Sequence, residues 1–219
     1  MILDSACLCY GQAANETMNV GVLGGTFDPI HTGHLIIAEQ ARVRLGLSEV
    51  LFVPAGQPWL KIDHVVTPAL HRVEMVRLAI TGNPYFRLST LEVDRPGPSY
   101  SVDTIGQLQQ ELGPQSFFFI LGWDALAGLP LWKDPDRLVQ LCQLVVVPRL
   151  ALELPKLSSL ASSVPGLQDK VIQLNTPIVG ISSSEIRERA ARGLSIRYLV
   201  PDEVEKYILR QKIYLTDES

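Results

Sequence analysis

Short apolar runs alternate along the chain with segments in which apolar residues return every three or four positions. The runs at 20–24, 50–54, 86–93, 117–121, 144–147 and 171–174 read as strands. Between them, 33–45, 68–81, 101–112 and 135–141 read as helices. In the second of these, Val73, Val76 and Ile80 share one face, with Glu74 and Arg77 off it. Strands alternating with helices form β-α-β units on a largely parallel sheet, so the pattern predicts an α/β fold. Two further helices close the chain. Ser182 and Glu185 have the spacing of a capping box, with Gly193 as a stop. Pro201 fits a first turn, followed by acidic Asp202 and Glu203 and by apolar Val204, Tyr207 and Ile208. The stretch 150–166, rich in Leu, Ser and Pro, has no clean period and reads as a surface connection.

With 219 residues the chain suffices for one sizeable domain, and 47% hydrophobic residues against 19% charged suit a filled core. A net charge of −4 supplies no bulk attraction for nucleic acid or an anionic membrane, so any phosphate must be held locally. Cys7, Cys9 and Cys142 are odd in number and lack metal-ligand spacing, which fits a reducing cytoplasm; Cys142 reads as core. No apolar run approaches the roughly 18 residues needed to cross a bilayer. Residues 1–17 differ from the rest and make a poor signal peptide. They read as a disordered extension ahead of one domain spanning 18–219, with Met18 as an alternative start.

The chemistry concentrates in Gly24-Gly25-Thr26-Phe27-Asp28-Pro29-Ile30-His31-Thr32-Gly33-His34, which leaves the first strand and opens the first helix. A parallel sheet places its ligand crevice there. Glycines let backbone N–H groups approach a phosphate, and the helix start adds unsatisfied donors. Two histidines three apart could both face one anion. Asp28 before a proline reads as an Asx-turn rather than a metal site; His71 and Arg72 either face a phosphate or lie on the surface, and the structural reading is preferred.

The string resembles the T/H-x-G-H signature of the nucleotidyltransferase superfamily, in the form found in bacterial nicotinate-nucleotide adenylyltransferases. Further matches are His71-Arg72-x-x-Met75, Pro98-Ser99-Tyr100-Ser101 with Thr104, Gly122-x-Asp124 with Trp132, and Ile181-Ser182-Ser183-Ser184-Glu185-Ile186-Arg187. They extend from about Asn19 to Ile213. The resemblance implies a Rossmann-like, doubly wound, mostly parallel sheet with a small C-terminal helical subdomain at about 181–213. It implies adenylyl transfer from ATP to nicotinate mononucleotide, with Mg²⁺ accompanying ATP and no dedicated protein metal site. Gly24, Gly25, Thr26, Phe27, His31, His34, Gly122, Asp124, Ser183 and Arg187 would bind ATP. His31, His34, Lys61 and Arg187 would neutralise charge during transfer, and Gly56, Tyr100, Ser101 and Trp132 would hold the acceptor. On local grounds alone Asp124 could instead cap a helix and Trp132 could be core. The chain departs from the family at Pro58-Trp59-Leu60-Lys61, where P-P-H-K is usual, so Trp59 is either a lid over a ring or packing. A homo-oligomer stays open, as do a sister transferase with another phosphorylated acceptor and a nucleotide sensor without turnover.

Overall fold

Val20 and Val22 point to one side of their strand and Leu23 to the other, and all three are buried. Such a strand must be covered on both faces. The computed structural model, which describes residues 18–59, 65–148, 157–177 and 179–215, shows this arrangement throughout. Six strands, β1 (Asn19–Gly25), β2 (Glu49–Pro54), β3 (Phe86–Leu88), β4 (Ser116–Gly122), β5 (Gln143–Val147) and β6 (Val171–Gln173), form one parallel sheet in the order β3-β2-β1-β4-β5-β6. Strand order reverses between β1 and β4, which sets the crevice at their C-terminal ends.

Helices α1 (Thr32–Leu45) and α2 (Ala69–Ile80) cover one face, α3 (Leu91–Asp94) follows β3, and α4 (Ser101–Leu112) covers the other face. Next come α5 (Trp123–Ala127), α6 (Pro135–Leu141), α7 (Leu157–Ser163) and α8 (Leu167–Lys170), then α9 (Ser183–Ala191) and α10 (Asp202–Arg210). On the first face Val50, Phe52 and Ile120 meet Ala38, Met75 and Val76. On the second, Leu51, Val53 and Phe119 meet Val102, Ile105 and Leu138. Ile186, Ala190, Val204 and Ile208 of α9 and α10 enter the first core directly. Among the described residues no helix is long and apolar enough to cross a membrane.

The main strands and helices fall close to the predicted segments. Three local expectations are corrected. The run 86–93 stops as a strand at Leu88, because β3 pairs only with Val50–Phe52; Leu91 and Glu92, adjacent and both buried, then sit on a helical turn. The supposed connection 150–166 contains α7, whose Leu157, Leu160 and Ala161 pack on the second core with Val164 beyond them. Pro201 is the residue before α10 rather than part of its first turn. Ser182 does cap α9, its Oγ accepting the Glu185 N–H at 3.2 Å. Residues 1–17 and Lys61 lie outside the described residues.

Candidate active site

The turn from β1 into α1 is held in an unusual backbone. Phe27 has φ of 50°, a left-handed conformation that costs a bulky residue about 1–3 kcal/mol. Its buried ring compensates, packing edge-on to His34 at 5.1 Å and tilted against Phe52 at 6.1 Å. The His31 and His34 rings stack with centroids 3.7 Å apart. The His31 backbone N–H donates to His34 Nδ1 at 3.2 Å. That nitrogen must therefore be the bare one, which leaves the proton on Nε2 and makes His34 a neutral-state donor.

The C-terminal part braces this turn at several points. Thr32 N–H donates to Leu199 O at 2.9 Å and Thr32 Oγ1 to Tyr198 O at 3.1 Å. Ser183 Oγ donates to Pro29 O at 2.9 Å, and Arg187 Nη1 donates to Asp28 O at 2.7 Å. Tyr214 donates its hydroxyl to Asp28 Oδ1 at 2.6 Å; burial and that carboxylate push the phenol well above its ordinary pKa. Asp28 makes these contacts, together with one from Thr67 N–H at 3.3 Å, in place of the expected Asx-turn.

A cleft of about 350 Å³ opens at the strand ends, within the range of small-molecule sites. Gly24, Gly25, Thr26 and His34 line it together with Gly122, Asp124, Ser101, Trp132 and Trp59. Trp132 stands edge-on to Phe119 at 6.1 Å, and Trp59 tilts against Tyr100 at 5.9 Å. Ser101 is the first residue of α4, whose opening N–H groups lack partners within the helix. Asp124 is exposed in the first turn of α5, and Gly122 rather than Asp124 occupies the capping position. A larger concavity of about 570 Å³ lies against β3, but its Glu49 and Arg87 pair with each other at 2.7 Å and none of the candidate chemistry is there.

Several expected residues do not wall the cleft among the described residues. His31 is 4% exposed and sits behind His34. Phe27, Ser183 and Arg187 support the turn, and Tyr100 backs Trp59. Gly56 lies beneath the wall with its N–H donated to Ser99 Oγ at 2.9 Å. A Cβ there would lie 2.1 Å from Glu92 O, so glycine serves close backbone approach. Conversely, Glu92 walls the cleft although it drew no attention in the sequence. Thr104 Oγ1 donates to it at 2.6 Å. Burial raises its carboxyl above the ordinary carboxylate value, against the pull of the Thr104 and Ser99 hydroxyls and Arg95. An acidic residue directly between Leu91 and Val93 was the available signal.

Comparison with known proteins agrees with this geometry. A family model for cytidylyltransferase-like proteins matches residues 22–189. A Dehalococcoides mccartyi protein described as a probable nicotinate-nucleotide adenylyltransferase is 47% identical over 199 residues, covering 90% of this chain and 98% of that protein. A Thermomicrobium roseum protein of the same description is 46% identical over 200 residues, covering 91% and 93%. This chain belongs to the nicotinate-nucleotide adenylyltransferase family. In fold it also resembles the solved Plasmodium falciparum nicotinic acid mononucleotide adenylyltransferase complexed with NaAD, with a TM-score of 0.74 at 21% identity, covering 90% and 97% of the two chains. Gly24–Thr26 with His34, Asp124 and Trp132 thus come from separate elements to one crevice.

Proposed function

We propose that this chain transfers the adenylyl group of ATP to nicotinate mononucleotide, giving deamido-NAD and pyrophosphate. The observation that carries the reading is the meeting in one cleft of the Gly24–Gly25 turn and His34 with Ser101 and Trp132. The acceptor's phosphate oxygen attacks the α-phosphorus of ATP in line. A new P–O bond forms, the bond to the bridging oxygen of the β-phosphate breaks, and pyrophosphate leaves. Little covalent chemistry is asked of the protein, so positioning and charge neutralisation carry catalysis.

His34 gives its Nε2–H to the phosphates, with the Gly24–Thr26 backbone beside it. His31 stacks behind and fixes the ring. Arg187 spends donors on Asp28 and Ser184 and has others for phosphate oxygens; Ser183 and Lys61 join it on the polyphosphate. Asp124 accepts from ribose hydroxyls. Among the described residues no group of three His, Cys, Asp or Glu side chains could hold a metal ion. Mg²⁺ would accompany the nucleotide, held mainly by phosphate oxygens and water, and would supply charge neutralisation on the pyrophosphate.

On the acceptor side the pyridine ring stacks on Trp132, with Trp59 as a second apolar wall. The opening N–H groups of α4 at Ser101 meet the nicotinate carboxylate. An amide in that place would set its own NH₂ against those donors, which favours the acid. The test is steady-state pyrophosphate release with ATP and Mg²⁺, comparing nicotinate and nicotinamide mononucleotides. The acid should have the higher kcat/KM. Equal values, or faster turnover with phosphopantetheine or glycerol phosphate, would sink the assignment, and tight ATP binding with no pyrophosphate from any acceptor would make the chain a sensor.

A further inference from the structure

Arg72 heads the fully buried side chains of this protein, at 1% exposure, on a helix whose other buried positions include Met75, Val76 and Ile80. Taking a guanidinium out of water costs several kcal/mol unless its donors are used. Here all three nitrogens are used, and none of the acceptors is a carboxylate. Nε donates to Thr67 O at 2.8 Å, Nη1 to Thr26 O at 2.8 Å, and Nη2 to Gly56 O at 3.4 Å. Those carbonyls belong to three separate stretches of chain.

Two of the stretches border the cleft, and the third is tied to one of them through the same connection. Thr26 walls its nucleotide side. Gly56 directly follows Ala55 and precedes Pro58 and Trp59, all three of which line the cleft. Thr67 is the far end of the same β2–α2 connection, and its N–H is held by Asp28 while its carbonyl is held by Arg72. Gly56 is treated alike, its N–H on Ser99 and its carbonyl on Arg72. The planar fork of a guanidinium can hold three carbonyls at fixed spacing, which the single ammonium of a lysine cannot.

We propose that Arg72 is a positioning residue that sets the nucleotide wall at Thr26 and both ends of the β2–α2 connection with one side chain. It touches neither substrate, yet it fixes the Thr26 turn against the segment that carries Pro58 and Trp59. The identity of those substrates rests on the function proposed above.

The test uses the full chain with Arg72→Lys, Arg72→Met and, as a control on the same helix, Val76→Ala. Val76 is fully buried and packs in the apolar core, so its truncation loosens α2 without removing any of the three hydrogen bonds. Thermal midpoints, KM for ATP and for nicotinate mononucleotide, kcat, and calorimetric affinity for a non-hydrolysable ATP analogue would be measured well below every midpoint. Both Arg72 variants should raise both KM values and weaken analogue binding about tenfold or more, the scale of small misplacements of reacting groups. Val76→Ala should lower the midpoint with both KM values within about twofold of wild type, as expected for a purely structural loss. Arg72 variants that lower only the midpoint or kcat would overturn the proposal, as would a control that moves KM equally. Should neither Arg72 variant fold, Asp28→Asn loosens the same Thr67 peptide and must raise the acceptor KM; an unchanged value would overturn it too. If wild type binds the analogue but makes no pyrophosphate from nicotinate mononucleotide, the function fails while the analogue arm still decides the role of Arg72.

Discussion

His34 does two things that one series of variants can separate. As the third residue of α1 it accepts the N–H of His31, the residue preceding the helix, through Nδ1 at 3.2 Å. Through Nε2 it offers a proton to the cleft it lines. Alanine removes both. Losing an N-terminal capping hydrogen bond costs about 0.5–2 kcal/mol, which in a chain of this size lowers the thermal midpoint by about 1–8 °C. Losing a preorganised donor to the transition state costs about 2.7–4 kcal/mol, or roughly a hundred- to a thousandfold in kcat. Glutamine at this helical position is the usual acceptor of a capping box, so it restores the first contact without an imidazole for the second. His34→Ala should therefore be both less stable and about a hundredfold slower or worse, while His34→Gln should recover most of the stability and stay at least about tenfold slow. Differential scanning calorimetry reads one quantity and pyrophosphate release at saturating ATP and nicotinate mononucleotide reads the other. Turnover by His34→Ala within about threefold of wild type, or full turnover by His34→Gln, would refute the assigned donor.

Two further predictions use other walls of the cleft. Glu92 holds its proton to higher pH when folded than the ordinary carboxylate does, because burial penalises its charge. The folded state then binds more protons than the unfolded one between those two pKa values. Wild type should lose stability relative to Glu92→Gln as pH rises from the ordinary value of 4.5 through the raised one, with no further change above it. Melting curves of both proteins across that range check the sign, and a gap that widens in wild type's favour as pH rises refutes it. Trp132→Ala should raise the KM for nicotinate mononucleotide about five- to a hundredfold, the range for loss of one aromatic stacking partner, and leave the KM for ATP within about twofold. Equal effects on both substrates would make Trp132 a packing residue against Phe119 alone.

What could be read in advance follows from where the information lies along the chain. Strands β1, β2, β4 and β5 are central and covered on both faces, so each appears as an uninterrupted apolar run. The edge strand β3 has one partner and stops early, and nothing in the alternation of 86–93 marks that stop. In α7 the spacing Leu157, Leu160, Ala161 and Val164 is helical, but the serines between them dilute it. His34 was legible because its whole environment, glycine turn and helix start, is contiguous. Arg72 was not, since its acceptors are main-chain carbonyls at separations of 5, 16 and 46 residues, and any residue type supplies a carbonyl. Gly56 was read as a ligand contact; the close passage of Glu92, which also demands glycine there, is a tertiary fact with no local trace.

The C-terminal helices are better understood as part of the catalytic turn than as an appendage. Ser183, Arg187, Leu199 and Tyr214 each bond to residues between Asp28 and Thr32, which lie more than 150 positions earlier in the chain. Three of those contacts satisfy Asp28 and Pro29, which are buried, and would leave polar groups without partners if removed. The left-handed Phe27 sits immediately before them and needs surroundings that over-determine its backbone. The glycine turn supplies the shape that can approach a phosphate. Contacts from α9 and the segments that follow it, with Arg72 from α2, hold that shape against its own strain. Loss of the last helices should therefore be felt first at the nucleotide, because four of the contacts that hold the turn presenting His34 come from α9 and the chain beyond it.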